Sequence, residues 1–504
     1  MQREYPDRCV LQDDACSYNW SDINKCSTII AKDLSELGVH NGVHVALCGE
    51  NSINWLLTFF AIQKLGAIAM LINSKSTIDE LKVLIKTGDI THFCYGEMPS
   101  VSDTAQLDSL IDDDECMIDH TYSFSSKKLY LDRVDEYDDI ATMFPVQLEY
   151  DDIALMLFTS GSTGVPKGVI LSAYNIMPTA FNAQNRLDIH DDDVSCMLVP
   201  LFHILGFLIG FVSCAIAGCK IVFPSSIRTA NLLQTIEKNK CSVLLSVPTL
   251  LLALIGNKDF SSERVDSVKR IMLAGAAVNL FQVQSIQDSF INSKIFNAYG
   301  LSEIAPVSMT LLDDSLQNIS ETIGKPVDGI TIKVLDQETG KECDAGQSGE
   351  ICVQGDNLMT CYYSSDTEVQ AIDLDGYLHT GDLGYYREDG YLCFSGRSKE
   401  LIIRGGENIM PNEVAAAISK FSGVSDVKVI GVPDDFYGEI VVAAVKMKSG
   451  EEFSEEKMRE FLSGNLAKFK IPAYFFVYDN FLTLPNGKVD NVNLKKDIIN
   501  KLEK

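Results

Sequence analysis

Basic side chains are scarce in this chain: its 504 residues carry 42 Lys and Arg against 70 Asp and Glu, a formal net charge of −28 at pH 7. Nucleic-acid binding relies on a basic face that neutralises phosphates, so that class is not expected, nor is docking on an anionic membrane. Paired cysteine motifs are also missing. The 14 cysteines run from Cys9 to Cys393 without one C-x-x-C. A long chain with unpatterned thiols reads as reduced, and the expected compartment is the cytoplasm. The first ten residues, MQREYPDRCV, lack an apolar signal core, so secretion is not expected. Internal repeats are absent. A single long uncharged run, residues 194–219, is long enough to suggest a membrane span. Pro200 and His203 interrupt it, and a buried strand, loop and helix is expected instead.

What remains has globular proportions, with 46% hydrophobic and 22% charged residues. Apolar runs of strand length alternate with helical patterns. Residues 44–48 (HVALC), 67–72, 153–158, 243–247 and 270–273 read as buried strands, and 55–65 as a helix. Strands separated by helices imply parallel sheets covered by helices. The acidic stretch 108–139, with DDDE at 112–115, reads as a solvated surface connection rather than a metal site. From about residue 320 short strands with glycine-rich turns follow, at 323–335, 349–355 and 391–394, which suggests a small β subdomain over about 320–396. A compact unit comes last, with a helix from near Asn412, strands at 427–432 and 440–446, and an amphipathic helix at 455–466. The expected class is α/β. A large N-terminal domain (1–396) of helix-covered sheets plus the β subdomain is hinged to a small C-terminal α+β domain (397–504).

The densest local signal is Thr159-Ser160-Gly161-Ser162-Thr163-Gly164-Val165-Pro166-Lys167-Gly168, directly after an apolar strand. Glycines let the backbone approach an anion, successive N–H groups form a nest, and the hydroxyls and lysine add donors and charge. The spacing is not that of the P-loop. A flexible turn is the plain alternative.

This segment resembles the phosphate loop of the adenylate-forming superfamily, which includes acyl-CoA synthetases, peptide-synthetase adenylation domains and firefly luciferase. Three further segments resemble its signatures, in the same order along nearly the whole chain. They are Asn297-Ala298-Tyr299-Gly300-Leu301-Ser302-Glu303, Thr380-Gly381-Asp382 followed by Gly396-Arg397, and Pro485-Asn486-Gly487-Lys488. Taken singly, Tyr299 is a core aromatic, Asp382 a turn residue and Lys488 a solvated turn lysine; the joint order outweighs these readings. Acyl- and aryl-CoA synthetases are the part of the family the chain is most similar to.

The resemblance implies two half-reactions. A carboxylate attacks the α-phosphate of ATP to give an acyl adenylate and pyrophosphate, and a thiol then attacks the adenylate carbonyl. It implies that Thr159, Ser160, Gly161, Ser162, Thr163 and Gly164 hold the outer phosphates, with Lys167 nearby. Ser302 contacts phosphate, and Glu303 binds Mg2+, a hard cation suited to carboxylate oxygens. Gly275, Ala276 and Ala277 lie against adenine, Tyr299 stacks on it, and Asn297, Ala298 and Gly300 belong to the same nucleotide-binding segment. Asp382 accepts the ribose hydroxyls and Arg397 reaches ribose or phosphate. Lys488 stabilises the charge that develops during adenylation. Lys399 occupies the hinge, and Gly405 and Gly406 line the pantetheine channel after the small domain swings. Ser302 departs from the usual threonine but keeps the hydroxyl. The N-terminal helical stretch is shorter than the family's, which bears on packing or dimer contacts.

Pro200-Leu201-Phe202-His203-Ile204-Leu205-Gly206 resembles the Phe-His-x-x-Gly segment of acyl- and aryl-CoA synthetases, so His203 is expected near the carboxylate; on its own it reads as a buried histidine. It supplies no fixed anion for an α-ammonium, which argues against amino-acid substrates. Segments 202–207, 247–250, 274–277 and 300–306 contain no Lys or Arg, and such walls suit an apolar acid. The expected activity is that of an ATP- and Mg2+-dependent acid–CoA ligase, with a medium or long fatty acid placed ahead of an arylalkenoic acid. The alternative is a stand-alone acyl-AMP ligase that loads the thiol of a separate acyl carrier protein. Small-molecule acid, ATP and coenzyme A are the expected partners, without nucleic acid or a transmembrane segment, in a monomer or homodimer.

Overall fold

In a computed structural model of the protein the described residues are 8–101, 107, 110, 117–124, 130, 149, 151–159, 166–363, 371–404, 407–434, 436–463, 465–483 and 489–502, with backbone alone at 399, 407 and 408. Two large sheets form the body. The nine-stranded sheet has at its centre the parallel strands Val194–Cys196, Val243–Ser246, Arg270–Ala274 and Lys294–Leu301. The seven-stranded sheet has at its centre the parallel strands Ile153–Thr159, Ile68–Ile72, His44–Cys48 and His92–Tyr95. Most residues of these strands are apolar and buried, because both faces are covered, as parallel sheets require.

The helix Ile53–Lys64 shows how the layers lock. Ser52 caps it, accepting from the Trp55 N–H at 3.1 Å. Its flanks are apolar on nearly all sides, so it sits buried between elements rather than on a surface. Trp55 and Phe59 both meet Phe207, at ring-centroid distances of 5.8 and 4.5 Å. Phe207 belongs to the π-helical turn Leu205–Val212, which continues into the short helix Ser213–Ile216. The uncharged run 194–219 is therefore a buried strand, loop and helix, as its proline and histidine suggested. Among the described residues no helix is long and apolar enough to cross a membrane.

The small β region is a four-stranded antiparallel sheet of Ile330–Leu335, Gly349–Gly355, Leu378–Tyr386 and Leu392–Arg397. The run 323–335 is not one strand. Lys325–Pro326 pairs in the nine-stranded sheet, and a turn at Asp328–Gly329, with Gly329 at φ 76°, redirects the chain into Ile330–Leu335. Another excursion matters more. Cys361–Tyr363 leaves the β region and pairs with Lys167–Ser172 at the edge of the seven-stranded sheet. The acidic stretch 108–139 is likewise more than a surface connection. His120–Ser123 adds a parallel strand beside His92–Tyr95, and Ile118 and Phe124 are buried. The DDDE run lies outside the described residues.

The last sheet holds Glu407–Ile409, Ile402–Arg404, Gly438–Met447 and Val424–Asp434, with Tyr474–Val477 alongside Gly438–Met447. Helices Pro411–Ser419, Glu455–Ser463 and Asn491–Leu502 accompany it. The architecture is thus mixed α/β, a large N-terminal part and a small C-terminal one.

Candidate active site

Open α/β sheets present ligands at the carboxyl ends of their strands, and Thr159, Gly275, Ala276, Ala277 and Tyr299 lie at such ends. Strand Arg270–Ala274 runs parallel to Lys294–Leu301 with Ala274 opposite Ala298. Gly275, Ala276 and Ala277 therefore emerge beside Tyr299. Gly275 holds φ 80°, a left-handed turn that a Cβ would strain. Gly275 and Ala277 are exposed and Ala276 is half-buried.

Tyr299 turns to the β region. Its hydroxyl donates to Asp382 Oδ2 at 2.7 Å, and its ring lies 6.0 Å from that of Phe394. Asp382 is only 2% exposed. It faces Arg397 across the strand pair, with Arg397 Nε 3.0 Å from Asp382 Oδ1. Burial, then the charge on Asp382, pushes the Tyr299 hydroxyl well above its ordinary pKa, so it remains a donor. The turn that aims Asp382 is tied down at two points. Thr380 Oγ1 accepts the Asp382 N–H at 3.0 Å while donating to the Ile351 carbonyl at 2.6 Å, and the Gly381 N–H donates to Glu350 Oε1 at 2.9 Å. Gly381 sits at φ 71°.

A second cluster forms where the chain reverses. Ser302 and Glu303 make the turn between Lys294–Leu301 and the antiparallel strand Ile304–Met309. Both are half-buried. A Cβ on Gly300 would come within 2.9 Å of Ala305 Cβ, so this hairpin closes tightly. Glu303 Oε1 accepts from the Tyr362 hydroxyl at 2.5 Å, and the Met359 N–H donates to the Glu303 carbonyl at 2.7 Å. The other Glu303 carboxylate oxygen has no hydrogen-bond partner among the described residues. Lys167 Nζ lies 4.8 Å above the Tyr362 ring. Lys167 opens the strand paired with Ile153–Thr159, directly across from Thr159. Thr159 and Lys167 thus stand side by side, with Lys167 next to Tyr362, the partner of Glu303. Burial, then Glu303, raises the Tyr362 pKa, so this hydroxyl also stays protonated.

The acid-side segment is pinned from the other sheet. Asn51 donates to the Val199 carbonyl and accepts from the Leu201 N–H, both at 2.8 Å. A Cβ at Gly206 would fall 2.0 Å from the Pro200 carbonyl oxygen, so only glycine allows the coil to fold over that residue. His203 is half-buried, its ring 4.5 Å from that of Phe202.

Not every predicted residue turns toward these clusters. The Asn297 amide is committed elsewhere, donating to the carbonyls of Ile319 and Thr322 at 3.0 and 2.9 Å, and Ala298 is in the core. Ser160, Gly161, Ser162, Thr163, Gly164, Gly405, Gly406 and Lys488, and the Lys399 side chain, lie outside the described residues. Tyr362, Asn51 and Glu350 were not singled out in the sequence. Each acts through a partner far away in the chain, which one sequence does not reveal.

Comparison with known proteins gives the class. Residues 2–363 match the family described as AMP-binding enzyme, and 413–488 match the AMP-binding enzyme C-terminal domain. The chain is 31% identical to the putative acyl-CoA synthetase YngI of Bacillus subtilis, over 98% of this chain and 95% of that protein. It is 25% identical to human mitochondrial medium-chain acyl-CoA ligase ACSF2, over 93% and 81%. Its fold is shared with ATP-bound MatB from Rhodopseudomonas palustris (TM-score 0.87, 24% identity, 97% and 95% covered). It is also similar to o-succinylbenzoate CoA synthetase of Bacillus subtilis bound to its acyl adenylate (TM-score 0.81, 25% identity, 98% and 96% covered). The chain belongs to the AMP-binding enzyme family, the adenylate-forming superfamily of the sequence reading. It is an AMP-forming acid–CoA ligase, an enzyme that makes thioesters using ATP and coenzyme A.

Proposed function

We propose that the substrate is an apolar carboxylic acid, a medium or long fatty acid ahead of an arylalkenoic acid. The observation that carries this reading of the site is that one hairpin, Lys294–Leu301 with Ile304–Met309, serves both clusters. Tyr299 joins Asp382 and Arg397 on one side, and Glu303 joins Tyr362 and Lys167 on the other. A nucleotide held by its ribose at Asp382 and by its outer phosphates near Lys167 spans that hairpin. We assign its α-phosphorus to the side of the segment that carries His203.

In the first step a carboxylate oxygen bonds to the α-phosphorus and the bond to pyrophosphate breaks. Lys167 and residues 160–165 receive the charge left on pyrophosphate, and Lys488 is assigned to stabilise the charge that develops at the α-phosphate. In the second step the CoA thiol gives its proton to solvent, its sulfur bonds to the acyl carbon, and the bond from that carbon to AMP breaks. Glu303, with one carboxylate oxygen held by Tyr362 and the other open, fits a hard divalent cation. Bound there, Mg2+ supplies positive charge to the phosphates. Asp382 and Arg397 orient the ribose.

The acid's character rests on what surrounds it. Phe202 is buried, Leu205 and Leu250 are partly buried, and no Lys or Arg occurs in 202–207, 247–250, 274–277 or 300–306. A second carboxylate on the substrate finds no counter-charge in these segments. We place the domain boundary at 396/397 and the hinge at Lys399. The short turn Ser398–Glu400 links the last strand of the four-stranded sheet to the first strand of the C-terminal sheet. The test is thioester formation across fatty, arylalkenoic, dicarboxylic and amino acids. Preference for a dicarboxylic or amino acid overturns the apolar assignment, and transfer to a carrier protein without CoA turnover moves the acceptor to that carrier.

A further inference from the structure

On the β region a second set of side chains converges, and only one of them, Glu350, touches the turn that aims Asp382. Glu350 and Cys352 lie on Gly349–Gly355 and His379 on the neighbouring Leu378–Tyr386, with Cys352 directly opposite His379. Strand alternation puts Glu350 and Cys352 on one face, so all three side chains meet. One donor atom from each lies within 4.8 Å of the others. His379 Nδ1 is 3.5 Å from Cys352 Sγ and 3.0 Å from Glu350 Oε2.

These spacings can be compared with a metal's own geometry. Zinc bonds of about 2.3 Å to sulfur and 2.0–2.2 Å to nitrogen and oxygen put tetrahedral neighbours roughly 3.5 Å apart for S–N and 3.4 Å for N–O. The first matches the observed separation and the second needs a shift of a few tenths of an ångström. The other ring nitrogen, His379 Nε2, faces Asp373 Oδ2 at 3.4 Å. A carboxylate behind a ligating imidazole is the usual support for a metal-bound histidine, fixing its tautomer and orientation. Access is open, since the His379 side chain is 42% exposed, while Cys352 is buried beneath it.

We propose that Cys352, His379 and Glu350 form a binding site for a zinc-class divalent transition metal, with Asp373 as the outer support and one coordination position open to water. The donor set of thiolate, imidazole and carboxylate selects zinc or cobalt over magnesium or calcium, which take oxygen ligands. Without an ion the thiol is neutral, pushed up to about 12 by burial and then by Glu350. Coordination deprotonates it, and the proton leaves to solvent. Glu350 also holds the Gly381 N–H through its other oxygen, so an occupied site stiffens the turn before Asp382.

The experiment uses the full chain, stripped with a chelator and titrated with Co2+ as a spectroscopic probe. One equivalent is expected to produce a thiolate-to-cobalt charge-transfer band in the near ultraviolet together with tetrahedral visible bands, both displaced by Zn2+. Cys352→Ser should abolish the charge-transfer band. Asp373→Asn should keep it but weaken binding about 10–100-fold, as removal of an outer-shell carboxylate does elsewhere. Should Cys352→Ser fail to fold, His379→Gln, at an exposed position, carries the same test through loss of the visible bands. Absence of a thiolate band in the parent protein, or a band undiminished in either ligand variant, overturns the site.

Discussion

Replacing Asp382 with asparagine separates the charge of this side chain from its shape. The carboxylate is buried, accepts from Tyr299 at 2.7 Å and pairs with Arg397 at 3.0 Å. A hydrogen bond to a charged acceptor is worth about 1.5–3 kcal/mol. The Arg397 contact adds less, because that side chain is 57% exposed and such pairs are worth about 0–1 kcal/mol once screened by water. Asparagine retains one oxygen for Tyr299 and turns its NH2 toward Arg397, so folding should lose roughly 2–3 kcal/mol. ATP should suffer in addition. A carboxylate presents two charged acceptor oxygens to ribose hydroxyls, and an amide presents one neutral oxygen. Asparagine removes one of these and weakens the other, a loss of about 2–4 kcal/mol, or about 30- to 1000-fold in apparent ATP affinity. The assay is acid-dependent pyrophosphate release at varied ATP, beside a thermal melt that shows the variant folded. A folded variant whose KM for ATP stays within about threefold of the parent would refute the placement of Asp382 on the nucleotide.

Three further outcomes are expected. Tyr362→Phe keeps the ring beneath Lys167 and removes the donor to Glu303, so the Mg2+ concentration for half-maximal rate should rise by about tenfold; an unchanged Mg2+ dependence contradicts the role given to Glu303. Gly206→Ala places a Cβ against the Pro200 carbonyl and should cost about 1–3 kcal/mol of stability, together with acid-dependent activity; a parental melting temperature would show that the coil relaxes. Lys488→Ala should abolish adenylation and leave thioester formation from supplied acyl adenylate largely intact, and equal loss of both half-reactions contradicts domain alternation.

Much of the fold was legible because its central strands are buried on both faces. HVALC at His44–Cys48 and the run at 153–158 read as strands without any knowledge of their neighbours. Where a segment's fate depends on a distant edge, the reading was incomplete. Cys361–Tyr363 looks like part of the β region, yet it pairs with Lys167–Ser172 and so brings Tyr362 to Glu303. His120–Ser123 sits in an acidic stretch and becomes a strand only because His92–Tyr95 offers an edge. Tyr299, Asp382 and Arg397, singled out by the order of their motifs, do lie together in the structure. Asn51 and Glu350 were not singled out, since each works by hydrogen bonds to backbone far away in the chain. Asn297 shows the converse: it belongs to a recognised motif, but its amide fastens the 319–322 backbone.

The central claim is that this site activates an apolar acid through an adenylate and hands it to CoA. The most direct measurement is pyrophosphate release from ATP, acid by acid, with and without CoA, with the thioester product identified by mass. Release that depends on a fatty or arylalkenoic acid, turns over with CoA and yields the matching acyl-CoA is the predicted result. Release driven by no apolar acid, or an adenylate that CoA never discharges, would contradict it.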